Sequence, residues 1–161
     1  MDPTEPLHAH LGPEPFVFRP THSGLQVPAF SRSFRALAWL MVAGLGVWMA
    51  RSPESIHSPA ALWGILAWAL MAVTVWAIER SRTRLDQDEL VQTWLWNKRM
   101  PVRELAYARL IRFAPLDWLI APRLYLRNLT GRFTVIYCAD PRVLEDMQRL
   151  CTELAAFRKR A

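Results

Sequence analysis

A chain of 161 residues has room for one domain of ordinary size, and this one is 52% hydrophobic with a formal charge of +6. Its mean hydropathy is only +0.06, so the apolar residues stand in blocks and the remainder is polar. Two cysteines exclude a disulfide scaffold and six scattered glycines exclude a phosphate-cradling loop.

Residues 1–33 hold half of the twelve prolines in a polar setting, the composition of an extended or disordered tail. The acidic start, with Asp2 and Glu5, is unlike the basic stretch and apolar core of a secretory signal. Phe16-Val17-Phe18 is the one apolar piece with the character to pair with a sheet edge. His8, His10 and His22 read as solvated tail residues and not as metal ligands.

Two apolar runs follow, over 36–50 and 59–78, and together they predict a two-helix transmembrane hairpin occupying 34–79. The second has Thr74 as its only polar side chain and matches the roughly 20 helical residues that a bilayer core of about 30 Å requires. The first is shorter, but Arg35 and Arg51 at its ends can snorkel outward, and a short loop over 51–58 leads straight into the second. Trp39 and Trp76 fall near one membrane face and Trp48 and Trp63 near the other, as in aromatic belts, with Trp68 alone at mid-span. Gly46, Ala50, Ala60 and Gly64 are small enough for close helix approach. Arg19, Arg32 and Arg35 precede the hairpin, Arg80, Arg82 and Arg84 follow it, and Arg51 stands alone between. The positive-inside rule then puts both termini in the cytoplasm of a bacterium, with the chain in its inner membrane.

From residue 80 to 161 the periodicity changes to that of a small cytoplasmic α+β domain. Runs at 81–86, 89–96, 107–114, 123–128 and 133–138 are rich in β-branched and aromatic residues, and turn-forming pieces separate them. They predict an antiparallel meander, with Pro101 allowed only on an edge strand or between strands. Asp140 is a good N-cap, Pro141 suits the first helical position, and Val143, Leu144, Met147, Leu150, Cys151, Leu154 and Ala155 recur on one face. Arg142, Glu145, Asp146, Arg149 and Glu153 take the polar face. The chain therefore closes on an amphipathic helix that caps the sheet, and both cysteines, Cys138 and Cys151, read as buried free thiols.

Three segments carry a resemblance: Asp88-Glu89-Leu90-Val91, Met100-Pro101-Val102-Arg103-Glu104-Leu105, and Leu124-Tyr125-Leu126 through Gly131 to Phe133-Thr134-Val135 before the final helix. In order and character they resemble the bacterial pleckstrin-homology-like domain over roughly residues 81–157. The resemblance implies a PH-like antiparallel sheet or roll capped by a C-terminal helix. It does not imply inositol-lipid binding, because the basic cluster of the first hairpin in the phosphoinositide-binding members is missing. The layout is also similar to that of a second, uncharacterised proteobacterial family with a two-helix hairpin and a small β-rich domain.

No nucleophile stands with a base, and no cofactor, metal site or small-molecule substrate is expected. The basic excess lies wholly after residue 78, which makes Arg80, Arg82, Arg84, Lys98 and Arg99 the candidate membrane-surface contacts. Each cation beside an anionic leaflet contributes about 1 kcal/mol, although the same residues also serve simply as topology signals. Asp86, Asp88 and Glu89 read as solvated turn formers. Asn128-Leu129-Thr130 is a glycosylation pattern on the wrong side of the membrane for use. A domain pinned at a membrane, with Trp94, Trp96 and Trp118 read as partly buried, is a poor fit to nucleic acid. The expected function is a non-enzymatic inner-membrane protein whose PH-like domain is a protein- or membrane-surface-binding or assembly module. Its partners would be the lipid bilayer and another membrane protein or a second copy of itself. The alternative is an accessory subunit or assembly factor of a respiratory or transport complex.

Overall fold

The computed structural model describes residues 15–52 and 61–160. In chain order the elements are β1 (Gln26–Pro28), α1 (Arg32–Arg51), α2 (Ala61–Arg80), β2 (Arg82–Leu85), β3 (Glu89–Thr93), β4 (Lys98–Pro101), β5 (Leu105–Ile111), β6 (Arg123–Asn128), β7 (Phe133–Tyr137) and α3 (Pro141–Arg160). Short 3-10 turns at Val102–Glu104 and Ala114–Leu116 join β4 to β5 and lead into β6. All strand pairs are antiparallel and form two sheets, one in the order β1-β2-β3-β4 and the other β5-β6-β7.

Helices α1 and α2 are long and apolar enough to span a membrane, and only 6% and 11% of their apolar windows are buried. A core helix of a soluble domain would hide most of that surface. Ser31 starts α1, its hydroxyl accepting from the Phe34 N–H at 3.1 Å. The helix therefore begins four residues earlier than the apolar run, and α2 likewise extends two residues past its run to Arg80. The loop expected between them lies outside the described residues beyond Ser52. The two helices are held by particular contacts. The Trp68 indole N–H donates to the Val42 carbonyl at 3.0 Å, which explains why a tryptophan sits at mid-hairpin. A Cβ on Gly46 would stand 3.2 Å from that same indole, so the small residue expected for close helix approach makes room for a ring. At the domain-side end, Arg35 of α1 and Glu79 of α2 form an ion pair.

The largest departure from the sequence reading is at the N-terminus. From residue 15 onward the proline-rich segment is not a tail. β1 pairs with β2 in the register Gln26↔Arg84, Val27↔Thr83 and Pro28↔Arg82, and Phe16 and Phe18 are buried in the domain core. Phe16 packs its ring on Phe157 of α3 at 5.5 Å. The apolar hairpin is thus inserted between two neighbouring strands of one sheet. Proline composition misled because the few apolar residues, Phe16, Phe18 and Val27, are enough to drive docking once a sheet edge and a helix offer them a surface.

The strands follow from alternation: Thr83 and Leu85, Leu90 and Gln92, Leu124 and Leu126 point inward while their neighbours face out. Their inner side chains meet Val143, Leu144, Met147, Leu150 and Leu154 of α3 in one core. Asp140 caps this helix by accepting from the Arg142 N–H at 3.0 Å. Two positions on α3 depart from the expected faces: Ala155 is exposed and Asp146 is buried. Cys138 is buried and Cys151 partly so, both as free thiols. Pro101 closes strand β4, at the edge of its sheet. The run expected as a strand to residue 96 stops at Thr93, because Thr93 lies opposite Arg82, the first residue of β2, and its partner ends there. Lys98, which falls in the turn-forming gap between the expected runs 89–96 and 107–114, opens β4 instead.

The registers also sort the connections into two ends. Pro28, Arg82, Thr93, Lys98, Ile111, Arg123 and Tyr137 terminate their strands beside the apolar hairpin. The turns at 86–88, 102–104 and 129–132 lie at the opposite end.

Candidate functional site

The five cations singled out in the sequence fall into three settings. Arg80 ends α2 with its guanidinium 4.2 Å from the centre of the Trp76 ring. Arg82 turns back on the helix, donating to the Glu79 carbonyl at 3.0 Å and to Ser81 at 3.3 Å, so it satisfies carbonyls that the helix end leaves open.

Arg84 and Arg99 stand on the outer face of the four-stranded sheet, in one cross-strand row with Gln26 and Val91. With Arg82, Glu89, Thr93 and Asn97 they line a shallow cleft of about 220 Å³. Arg84 is shared by two carboxylates, Asp86 at 2.8 Å and Glu89 at 3.4 Å, while Arg99 is exposed. Asp88 pairs with Arg103 at 3.0 Å. The acidic cluster of the β2–β3 turn is therefore matched by arginines, which moderates the positive field of this face.

Lys98 is separated from its sequence neighbour by the strand's alternation. It shares a register pair with buried Gln92 and points to the inner side, where Nζ donates to the Val135 carbonyl at 3.1 Å. The Trp94 and Tyr137 rings lie 5.4 and 5.8 Å from it, and burial lowers its pKa. It ties the two sheets together and is not grouped with Arg99.

Sequence reasoning missed a second feature. Where the hairpin meets the domain, Phe30, Phe34, Ile78, Trp94, Leu119 and Ile120 line an apolar cavity of about 290 Å³, with Arg123 and Tyr137 at its side. Phe30 stacks on Phe34 at 5.5 Å and on Tyr137 at 5.3 Å, and the Arg123 guanidinium lies 5.7 Å from the Tyr137 ring. The signal available in the sequence was the apolar character of two connections, Trp94-Leu95-Trp96 and Leu116-Asp117-Trp118-Leu119-Ile120.

A third feature is the clasp at Asp146, which is 2% exposed. It accepts from the backbone N–H groups of Thr21 at 3.0 Å and His22 at 2.9 Å, and lies 3.3 Å from His22 Nδ1. Burial pushes this carboxyl up, but the hydrogen bonds from His22 and Thr21 outweigh it and hold the group below its ordinary range. Arg149 reaches Asp146 at 3.3 Å and Glu153 at 3.3 Å. His22, expected as a solvated tail residue, is thus part of the domain; His8 and His10 lie outside the described residues. Burial pushes the Cys138 thiol up to about 12 and the Cys151 thiol up to about 11, the direction that disfavours the thiolate.

Among the described residues no group of three His, Cys, Asp or Glu side chains is placed to hold a metal ion. The Asn128 side chain closes the β6–β7 turn, accepting from Thr130 Oγ1 at 2.8 Å and the Arg132 N–H at 2.7 Å. In comparisons with known proteins, no family model, no curated protein and no solved structure matches the chain. What the arrangement offers chemically is a basic outer face, an apolar seam beside the hairpin, and a domain anchored at one end.

Proposed function

We propose that the chain is a non-enzymatic inner-membrane protein whose cytoplasmic, PH-like domain is a binding or assembly module held at the membrane surface. The observation that carries this reading is the insertion of the apolar hairpin between β1 and β2. A domain tethered by one end swings freely; one whose sheet is closed around both ends of its anchor is held in a fixed pose. Four strands, then three, then one C-terminal helix support the PH-like resemblance, with the hairpin lying after the first strand. The outer sheet face with Arg82, Arg84 and Arg99 supports a surface role, since arginine presents planar donors to carboxylate or phosphate.

Photo-crosslinking in intact cells tests the proposal. A photoreactive residue at Arg99 or Gln26, on the outer face, should give one discrete protein adduct, to a partner or to a second copy. Adducts formed only from hairpin positions such as Leu40 or Leu70 would favour an accessory subunit held by its helices. No protein adduct from either set of positions would end the protein-binding reading.

A further inference from the structure

We infer that the domain has a second membrane-inserting element besides the hairpin: the 94–97 turn and the 113–120 loop dip into the lipid interface of the leaflet from which the hairpin emerges. The inference rests on the proposed membrane hairpin and adds to it a surface that the basic residues do not include.

Placement comes first. Thr93 is paired with Arg82, two residues beyond the end of α2, so the turn that follows it projects level with the helix end. Ile111 is paired with Arg123 at the same end of the second sheet, which puts the loop between them there too. Trp94, Leu119 and Ile120 share one cavity with Phe34 of α1 and Ile78 of α2, so both connections face the hairpin's domain-side turns across it.

Composition comes second. Connections are ordinarily polar because water is their neighbour. At the hairpin end they carry Leu95 at 50% exposure, Trp96 at 63% and Trp118 at 61%, with Phe113 and Leu116 also exposed. The turns at the far end carry Asp86, Gln87, Asp88, Arg103, Glu104, Thr130 and Arg132. Within those turns Leu129 is the large, apolar and exposed side chain among the described residues, and Phe133 is exposed on the strand that follows. The core does not account for this segregation: Trp96 meets the Trp94 ring at 5.9 Å, yet it and Trp118 keep most of their surface exposed. Tryptophan at a membrane's polar–apolar boundary does explain it.

Backbone satisfaction comes third. A loop entering lipid must supply its own hydrogen bonds. In the 113–120 loop tight turns supply three of them: the Leu116 N–H donates to the Phe113 carbonyl at 2.8 Å, and the Leu119 and Ile120 N–H groups both donate to the Leu116 carbonyl at 2.9 and 2.7 Å. Its one carboxylate, Asp117, forms an ion pair with Arg112.

The test uses the full chain in vesicles of phosphatidylethanolamine and phosphatidylglycerol, with an environment-sensitive fluorophore on Trp96→Cys, Trp118→Cys, Leu129→Cys or Leu66→Cys. Cys138 is buried, and each variant also carries Cys151→Ser because that thiol is only partly buried; each chosen position is exposed, so labelling leaves the core undisturbed. Labels at 96 and 118 should emit to the blue of the label at 129 and be quenched by lipids bearing a nitroxide near the headgroup. The label at 129 should be untouched by them. If 96 and 118 behave like 129 while 66 is quenched by a deep nitroxide, the hairpin stands and the inference is overturned. A blue shift at 96 and 118 without quenching by lipid would overturn it in favour of a protein covering the patch. Escape of the label at 66 from every nitroxide lipid would remove the hairpin reading, and the inference with it.

Discussion

At Asp146 a single carboxylate holds down a stretch of chain 125 residues away in sequence. Its oxygens accept the N–H groups of Thr21 and His22, and Asp146→Ala leaves these donors without partners at the edge of the core. A hydrogen bond to a charged group contributes about 1.5–3 kcal/mol, so thermal unfolding of the purified protein should shift downward by a clear margin. Because the folded carboxyl is held below its unfolded value of about 3.9, its contribution is complete above that pH. The contribution is lost as pH falls through the depressed folded value. The parent chain should therefore lose stability more steeply than Asp146→Ala does as pH falls below about 4. Parallel pH dependences in the two proteins would show that the carboxylate is not the clasp. The sequence reading put this residue on the polar face of α3, because a carboxylate between Glu145 and Met147 sits at a border where residue type suggests solvent and the helical period does not decide. Lys98 teaches the same lesson in a strand. Its partner face is set by where β4 begins, and one residue of uncertainty at the preceding turn reverses inward and outward.

At the scale of elements, legibility follows how much of an element's stabilising context is local. α3 carries its cap, its first-turn proline and its apolar stripe within its own 20 residues, and α1 and α2 announce themselves by apolar length. β1 is three residues long and owes its existence to β2, which lies beyond the hairpin in sequence. No window that reads along the chain contains both. The candidate site divides the same way: the cations were visible as residue types, while the apolar seam required bringing together residues 30, 34, 78, 94 and 119–120. The consequence for the fold is direct. Phe18 is fully buried, and Phe18→Ala should cost about 3–5 kcal/mol against a total of about 5–15 for a domain of ordinary stability. Glu145→Ala, on the exposed face of α3, should stay within about 0.5 kcal/mol of the parent. Limited proteolysis of the detergent-solubilised chain reads both variants. Equal resistance of the two would mean that the N-terminal segment rests on the domain without contributing to its core.

For the whole molecule, the pairing of β1 with β2 constrains topology in a way that charge alone does not. Flanking arginines bias which side of a membrane each helix end takes, and that bias is graded and can be reversed by moving cations. A sheet that includes strands from both sides of the hairpin imposes an all-or-none condition: the ends of α1 and α2 nearest the domain must share one compartment. Three residue pairs between β1 and β2 and the Ala29 to Ser81 hydrogen bond at 3.2 Å enforce it, as does the ion pair between Arg35 and Glu79. In the proposed orientation that compartment is the cytoplasm, so reporters placed ahead of Met1 and after Ala161 should both give the cytoplasmic signal. The stronger expectation concerns a charge-reversed variant, with Arg32, Arg80 and Arg84 changed to Gln and cations added within residues 52–58. Both reporters should then flip together, or the protein should be degraded, since a chain with one end on each side forfeits β1, Phe16 and Phe18 from its core at once. A stable population with its two termini in opposite compartments would show that β1 and β2 are not joined in the inserted protein, and the fixed pose of the domain would go with them.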